Sequence, residues 1–403
     1  MKNLKLVFSL MLLVSTMLSC SKVNTLDLER QAVEDLYNNR DKEKWEKEDL
    51  LKKQNYEDSI RIAEENKAKY ALYLQDLREY KSTKHPVMFG WFNAWSAVTP
   101  GDYANLTLIP DSMDIVSIWG NCFNIDEKRL KQMRTVQEKG TKVTVGWIIE
   151  NVGNGISNRA KNEWSSDPET GVKEYAQAIL DSVAKYGYDG FDIDYEPSYS
   201  SPFKPGNHCG DWPEGWPEEW PEYNPDNDPD KDQAKWAEYW RSQWAVNKPV
   251  ISCSKYDNKN LENLFFKTLR EGLDKMEAKD GKHRVLNING SIHWMDPNAA
   301  VYFDYFVPQA YNGTYSRWYS DITSLLGIEA ADKIIYTETF ENNLNNRKNF
   351  MKYADYVVET RGGVAGGIGA YHINEDSFDG NQYKFVRAAI TRMNPPIKSL
   401  RNF

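Results

Sequence analysis

Eight short apolar segments, separated by stretches of helical periodicity, follow Pro86 and constrain the fold more than any other feature of this sequence. They are VMFGWF (87–92), MDIVSIWG (113–120), KVTVGWII (142–149), GFDIDY (190–195), RVLNING (284–290), YFVPQAY (305–311), KIIYTETF (333–340) and GGIGAYHI (366–373). Apolar strands that alternate with helices are typical of a parallel α/β sheet. Eight strand–helix units over about 310 residues predict a (β/α)8 TIM barrel with insertions. A doubly wound open sheet is the alternative, but no glycine-rich phosphate loop follows the first strand.

The fourth segment carries an unusual concentration of acidic residues. In GYDGFDIDYEP, Asp192, Asp194 and Glu196 alternate with Ile193 and Tyr195, so a strand would place the three acids on one face. Carboxylates crowded in a buried place repel one another, and some of them must hold a proton. In a (β/α)8 barrel the chemistry lies at the carboxyl ends of the strands, and Glu196 comes directly after the fourth. We therefore predict a catalytic site at this point.

Polar and aromatic residues near the ends of other predicted strands are candidates to line the same site. They are Trp91 and Trp95 after strand one, Glu150 and Asn151 after strand three, Gln309 and Tyr311 at strand six, Glu338 at strand seven and Tyr371 at strand eight. We expect Trp91, Trp95, Gln309, Tyr371, Glu150 and Asn151 to bind substrate. For Glu150 and Asn151 the alternative is that they cap a turn, and for Tyr371 that it belongs to the core.

The connection after strand four is unusually long and contains DWPEGWPEEWPEY. Its prolines exclude a helix. Long loops in compact domains are usually functional or disordered. Trp212 and Trp216 in this loop either contact a glycan or pack within the loop itself.

Composition narrows the class of ligand. The chain has 14 tryptophans and 24 tyrosines, and aromatic residues in such numbers pack in the core or stack on flat ligands such as sugar rings. A net charge of -9 and an isoelectric point near 5.3 argue against nucleic acid as a partner. No Cys/His spacing suggests zinc, and we expect neither a metal nor another cofactor. These features favour a protein that acts on carbohydrate.

The segment DGFDIDYE resembles the DxxDxDxE signature of glycoside hydrolase family 18, which includes chitinases and the F- and H-type endo-β-N-acetylglucosaminidases. All four acids are present, on the fourth of eight predicted strands. The first of them, Asp189, is expected to fix the turn into the strand. PQAYN is similar to the family's sixth-strand element, and the resemblance extends over roughly residues 85–395.

The resemblance implies a retaining hydrolysis in which the substrate itself supplies the nucleophile. Glu196 would donate a proton to the leaving oxygen and later act as a base. The acetamido carbonyl of the substrate's GlcNAc would attack, forming an oxazolinium ion, while Asp194 would accept the acetamide N–H. Asp192 would share a proton with Asp194 and tune it. Tyr311 would hydrogen-bond the acetamido oxygen, with Gln309 beside it.

Two departures from the chitinase pattern favour the endo-β-N-acetylglucosaminidase branch. Tyr371 stands where many chitinases have Trp at the end of the eighth strand, and QAYN replaces a Met-x-Tyr-Asp element. We therefore expect a mannosyl-glycoprotein endo-β-N-acetylglucosaminidase, which cuts the GlcNAc-β-1,4-GlcNAc core of N-linked glycans. A chitinase of the same family is the alternative, and a non-catalytic glycan-binding surface protein is an alternative of another class. A two-glutamate mechanism with Glu338 as nucleophile is a further rival, but it leaves Asp192 and Asp194 without a role.

The N-terminal residues predict export and a lipid anchor. In residues 1–20, Lys2 and Lys5 precede an apolar run that ends at Ser19 and Cys20, which resembles a bacterial lipoprotein signal with Cys20 as the lipidated residue. A plain secreted protein cleaved near Ser19 is the alternative. We expect a monomer anchored in the outer membrane through Cys20, at the cell surface or on the periplasmic face, whose partner is an N-glycan or glycoprotein.

Residues 21–84 are rich in charge, lack Gly and Pro after Leu26, and show apolar residues at helical spacing. They predict a helical arm ahead of the barrel at 85–395 and the short tail at 396–403. The arm could act as a spacer above a membrane, pack against the following domain, or form a coiled coil.

Three cysteines remain beyond the signal sequence, and their pairing stays open. Cys209 and Cys253 could form a disulfide around the long loop, or Cys122 and both of these could be free thiols.

Overall fold

The computed structural model describes residues 25–96, 102–120, 125–156, 164–203, 231–236, 256, 258–341, 344–360, 366–380 and 382–395. The predictions for the signal sequence with Cys20, for the other three cysteines, for Trp212 and Trp216 and for the tail lie outside these residues. The chain divides after Tyr73 into two compact units.

Helix α1 (Thr25–Ser82) confirms the predicted helical arm; it begins in the first unit and ends in the second. The side chains from residue 46 to residue 73 are all exposed. A helix that is polar on every face depends on pairs one turn apart, and Arg61 lies 3.0 Å from both Asp58 and Glu65. Within the described part of the chain, no helix is long and apolar enough to span a membrane.

The second unit contains an eight-stranded sheet in which all paired neighbours run parallel. Its strands are β1 (Val87–Phe92), β2 (Ile115–Trp119), β3 (Lys142–Ile148), β4 (Gly190–Tyr195), β5 (Val285–Gly290), β6 (Tyr305–Val307), β7 (Ile335–Thr339) and β8 (Gly367–Tyr371). The order is β6-β5-β4-β3-β2-β1-β8-β7, and a bridge between Phe306 and Ile334 joins the two ends. The predicted (β/α)8 TIM barrel is confirmed.

Helices follow most of the strands and cover the outside of the barrel. They are α2 (Glu127–Glu138), α3 (Pro168–Tyr186), α4 (Lys259–Asp280), α5 (Tyr315–Leu326), α6 (Leu344–Asp355) and α7 (Lys384–Met393). The ends of α3 are encoded locally. The Asp167 carboxylate accepts the Thr170 N–H at 2.9 Å, Pro168 occupies the first turn, and Gly187 ends the helix with a φ of 67°.

Strand β6 is shorter than the sequence predicted. The prediction ran over 305–311, whereas the strand ends at Val307. Pro308 follows and cannot donate a backbone hydrogen bond to a continuing ladder. Gln309 and Tyr311 therefore lie on the connection after the strand, still at the carboxyl end of the barrel. The other seven strands agree with their predicted bounds to within two residues.

Apolar side chains form two layers on either side of the sheet. The inner cluster includes Val87, Phe89, Trp91, Ile115, Val285, Val307 and Ile335. The outer cluster contains Phe191, Ile193 and Tyr195 from β4, together with the facing helices. Because side chains alternate along a strand, β4 sends Asp192 and Asp194 to the inner side of the sheet.

Asp189 and Gly190 fix the entry into β4. One oxygen of the Asp189 carboxylate accepts the Val143 backbone N–H at 2.9 Å and the Gln137 side-chain amide at 2.6 Å. Gly190 has a φ of 154°, and a Cβ there would lie 2.0 Å from the carbonyl oxygen of Val285. Only glycine fits so close to a neighbouring backbone. These contacts lie at the amino end of the strand, away from the other acids.

Substitution Asp189→Ala removes two hydrogen bonds at this entry. We expect the free energy of unfolding to fall by roughly 1–3 kcal/mol, because each bond contributes about 0.5–1.5 kcal/mol. Denaturant unfolding measures this loss, and any activity at the site predicted around Glu196 should stay close to that of the wild type. A variant of normal stability that has lost its activity would contradict this structural role.

Candidate active site

Two acidic side chains of β4 are enclosed in the barrel. Asp192 is 0 % exposed and Asp194 is 5 % exposed, and Glu196 is partly exposed just beyond the strand. The exposed fraction of the acidic side chains therefore increases along the strand, from the fully buried Asp192 to the partly exposed Glu196. The three acids share one face, in the arrangement that their spacing predicts.

Asp192 is held by side chains from the two strands β1 and β2. The Trp91 indole N–H donates to its Oδ2 atom at 2.7 Å, and the Ser117 hydroxyl donates to the same atom at 3.0 Å. Burial raises the pKa of Asp192 to about 6, and the hydrogen bonds act in the opposite direction. Trp91 thus binds the acid, and its ring also lines the pocket described below.

Gln309 joins the other two acids. Its amide nitrogen donates to Glu196 Oε1 at 2.8 Å and lies 3.3 Å from Asp194 Oδ1. Burial raises the pKa of Asp194 well above its ordinary value, and the nearby charges of Glu196 and Asp192 raise it further. Asp194 accordingly holds a proton more firmly than an exposed aspartate would.

A pocket of about 220 Å³ opens above these acids at the carboxyl end of the barrel. It is lined by Trp91, Trp119, Asp194, Glu196, Asn289, Gln309, Tyr311 and Tyr371. The Tyr371 ring lies 6.2 Å from Trp91, and 6.3 Å from both Trp119 and Tyr311. The lining therefore combines four aromatic side chains with two carboxyl and two amide side chains.

Trp119 and Asn289 are pocket residues that the sequence interpretation missed. Trp119 is the last residue of β2, and Asn289 is the next-to-last residue of β5. Both positions obey the rule that selected Trp91, namely a polar or aromatic side chain near the carboxyl end of a predicted strand. The segments SIWG and NING each carry such a residue next to their final glycine, and this is the sequence signal for both positions.

Three predicted substrate contacts are not brought to the pocket. Trp95 is buried toward α2, where its indole N–H donates to Gln132 at 2.8 Å. Glu150 and Asn151 follow β3 and are absent from the described lining of the pocket. Their contact with substrate stays a prediction.

Glu338 is occupied by structural hydrogen bonds. It is 0 % exposed, and its Oε1 atom accepts the backbone N–H groups of Asn312 and Thr339, each at 2.9 Å. Its Oε2 atom accepts the Tyr353 hydroxyl at 3.1 Å. A carboxylate engaged in this way fixes the loop after β6 and is poorly placed to act as a nucleophile.

Tyr195, between Asp194 and Glu196 in the sequence, faces away from the pocket. Its hydroxyl donates to Glu262 of α4 at 2.8 Å, and Lys259 contacts both groups, at 3.1 and 2.7 Å. Glu262 is 1 % exposed, and burial raises its pKa despite the nearby lysine. This network attaches β4 to α4, the helix behind it.

A larger cavity, of about 750 Å³, lies at the amino ends of the strands. Two pairs of oppositely charged groups lie there: Lys84 is 2.8 Å from Asp332, and His85 is 3.1 Å from Asp114. Burial lowers the pKa of Lys81 there to about 8. The amino face of such barrels generally serves stability, and these ion pairs are consistent with that role. Among the described residues, no group of His, Cys, Asp or Glu side chains is arranged to hold a metal ion.

Part of the chain is similar to a known protein family. Residues 53–211 match the model of glycoside hydrolase family 18, BT1044-like. The match spans less than half of the chain and includes the whole DxxDxDxE segment. No curated protein sequence matches the chain.

Solved structures of this fold are similar along most of the chain. One is the BT1044 protein, solved with selenomethionine and a Glu-to-Gln substitution, with a TM-score of 0.58 and 24 % identity over 81 % of this chain and 93 % of that one. Another is an endo-β-N-acetylglucosaminidase from Cordyceps militaris in complex with fucosyl-N-acetylglucosamine-Asn, with a TM-score of 0.50 and 17 % identity over 80 % and 95 %. At these identities the likeness shows the fold.

The raised pKa of Asp192 predicts how stability depends on pH. Below about pH 4 the group is protonated in both the folded and the unfolded protein, so its contribution is fully present. Between about pH 4 and pH 6 it ionises first in the unfolded chain, and this contribution is lost as the pH rises through the folded pKa. Asp192→Asn lacks the titration. Its free energy of unfolding relative to the wild type should therefore rise by up to about 3 kcal/mol from pH 4 to pH 7.

Denaturant unfolding at pH 4, 5, 6 and 7 measures this difference for the two proteins. Parallel curves over that range would mean that Asp192 ionises equally easily in the folded and unfolded chains.

Proposed function

We propose that this protein is a family 18 glycoside hydrolase, an endo-β-N-acetylglucosaminidase that cleaves the GlcNAc-β-1,4-GlcNAc core of N-linked glycans. The observation that carries the proposal is the pocket in which Glu196 and the buried Asp194 share one hydrogen-bond donor, Gln309. The family match over residues 53–211 supports the reaction class. The name of the Cordyceps militaris enzyme, which shares the fold, supports the choice of substrate.

The first step needs a proton donor and a nucleophile. Glu196 is the most exposed of the three acids and lines the pocket, so it donates its proton to the glycosidic oxygen as the bond from that oxygen to C1 breaks. The carbonyl oxygen of the substrate's acetamido group forms a new bond to C1 on the opposite side. The product of this step is an oxazolinium ion and a departed sugar hydroxyl.

Asp194 orients the acetamido group of the substrate by accepting its N–H. Its side chain lies in the pocket wall beside Glu196, within reach of an acetamide N–H. As positive charge develops on the oxazolinium ring, an ionised Asp194 stabilises it, and its proton passes toward Asp192, whose pKa is also raised. The Tyr311 hydroxyl, also in the wall, binds the acetamido oxygen.

Water completes the reaction with retention of configuration. Glu196, now ionised, removes a proton from a water molecule that attacks C1 and opens the oxazolinium ring. Gln309 donates to Glu196 Oε1 and stabilises the carboxylate during this interval. Among the described residues that line the pocket, the carboxyl groups are those of Asp194 and Glu196. Glu338, the other candidate nucleophile, is buried and accepts three hydrogen bonds elsewhere, so the acetamido group of the substrate supplies the nucleophile.

Glu196→Gln should remove catalysis while leaving the pocket intact. We expect the release of glycans ending in a single GlcNAc from high-mannose, hybrid and complex glycoproteins to fall by at least about 10²-fold, the usual size of general acid catalysis. Mass spectrometry of the products measures this loss. Glu329→Gln, an exposed glutamate before β7, is the matched control and should keep full activity.

Several outcomes would overturn the proposal. Release of products from chitin oligomers but from no glycoprotein would identify a chitinase. Glycan binding without turnover by the wild type would identify a binding protein. A fall of activity in Glu338→Ala that azide restores would indicate a covalent glutamate nucleophile, whereas inhibition by a GlcNAc-thiazoline supports the acetamido mechanism.

We also propose that the protein is a monomer anchored in the outer membrane through a lipid on Cys20. The support is the sequence of residues 1–20 alone. Cys20→Ala should move the full-length protein from the membrane fraction to the soluble fraction and abolish its labelling by radioactive palmitate. Cys122→Ala is the control and should stay in the membrane. If Cys20→Ala incorporated no palmitate and still stayed in the membrane fraction, the lipid on Cys20 would not be the anchor.

A further inference from the structure

The pocket is small for the proposed substrate. Its volume of about 220 Å³ is below the roughly 300–1,000 Å³ of typical ligand pockets, yet an N-glycan contains many sugar rings. Most of the glycan must therefore contact the protein outside the pocket. The surface around the carboxyl ends of the strands is where such contacts would occur.

Exposed aromatic side chains mark one part of this surface. Among the described residues of the barrel unit, the large apolar side chains that are well exposed include two aromatic ones, Tyr199 at 67 % and Trp294 at 48 %. Both lie on the connections that leave the carboxyl ends of neighbouring strands, β4 and β5. The others are the aliphatic residues Leu108, Val301 and Ile328.

Tyr199 is attached directly to the proton donor. Its backbone N–H donates to the Glu196 carbonyl at 2.9 Å, and the N–H of Ser200 donates to the same atom at 2.8 Å. These bonds close a turn that begins at Glu196. The phenol ring therefore projects into solvent from a backbone whose position is fixed relative to the catalytic group.

Trp294 is attached to the same strand from the other side. Ser291 at the start of its loop donates its N–H to the Tyr195 carbonyl at 2.7 Å. Lys259 donates to the Trp294 carbonyl at 2.8 Å and to the Tyr195 hydroxyl at 3.1 Å. The backbone that carries the indole is thus fixed to the end of β4.

The indole belongs to a short row of rings. The His293 ring lies 5.9 Å from Trp294 and 5.6 Å from Trp318 of α5, the helix after β6. Neighbouring rings restrict the orientation of the indole while about half of it stays in contact with water. An exposed aromatic side chain in a fixed position is typical of a surface that binds a partner.

We propose that Tyr199 and Trp294 form a carbohydrate-binding rim, which stacks on sugar rings of the glycan that lie beyond the pocket. The nature of the ligand rests on the proposed function, whereas the two residues are identified by exposure and by their attachment to β4. The apolar faces of pyranose rings and the faces of Tyr and Trp are complementary, and both side chains lose little conformational entropy on binding. The rim contributes affinity for long substrates and takes no part in bond cleavage.

The test measures binding without turnover. In a Glu196→Gln background, isothermal titration calorimetry gives the Kd of a high-mannose N-glycan oligosaccharide that keeps both core GlcNAc residues, and of N,N′-diacetylchitobiose, which contains those two sugars alone. Trp294→Ala and Tyr199→Ala should each raise the Kd of the oligosaccharide by about three- to tenfold and leave that of the disaccharide unchanged. Trp294→Phe and Tyr199→Phe keep a ring and should retain most of the affinity.

Ile328→Ala is the matched control, because Ile328 is 66 % exposed but lies before β7, at the other end of the barrel. It should change neither Kd. Three results would each overturn the rim. They are an unchanged Kd for the oligosaccharide in both alanine variants, an equal loss of affinity for both ligands, and no binding of the oligosaccharide by the Glu196→Gln protein itself. Failure of the proposed hydrolysis is a separate result, since it appears in the glycan-release assay of the wild type and not in these binding constants.

Discussion

Two carboxyl groups lie in the interior of this barrel, where apolar side chains usually pack, and the rest of the site depends on how they are accommodated. Burial of a charge is costly unless it is hydrogen-bonded or neutralised by a proton. Asp192 receives two donors from β1 and β2, while burial raises the pKa of Asp194 and so favours its neutral form. Burying two acids side by side costs stability, and such a cost is typical of functional sites.

Gln309 connects this buried pair to the pocket. An amide N–H remains a donor at every pH of interest, so its preference for Glu196 does not depend on the protonation of the neighbouring acids. The same nitrogen lies 2.8 Å from Glu196, 3.3 Å from Asp194 and 3.4 Å from the Asn289 oxygen. Side chains at the ends of β4 and β5 thus meet at one neutral group on the connection after β6, and a change in any of them alters the environment of Glu196.

Much of this arrangement could be predicted from the sequence, because strands in a parallel barrel are apolar and their polar interruptions are rare enough to stand out. Trp91 and the acids of β4 followed from strand position alone. Trp95 did not, since it comes three residues after the strand ends, and Ala94, with a φ of 51°, lies in the loop between them. β6 ends before Pro308, earlier than its apolar pattern predicts, because proline has no backbone N–H to donate to the next hydrogen bond of the ladder. Contacts that depend on loop paths have no period in the sequence and could not be predicted.

The hydrogen bond from Tyr195 to Glu262 has a consequence for folding accuracy. The acids on the inner face of β4 alternate with Phe191, Ile193 and Tyr195 on its apolar outer face, and a slip by one residue would turn all three acids outward. It would also leave Glu262, which is 1 % exposed, without the hydroxyl that now satisfies it. The outer face of β4 therefore fixes the register that places the three acids together on the inner face.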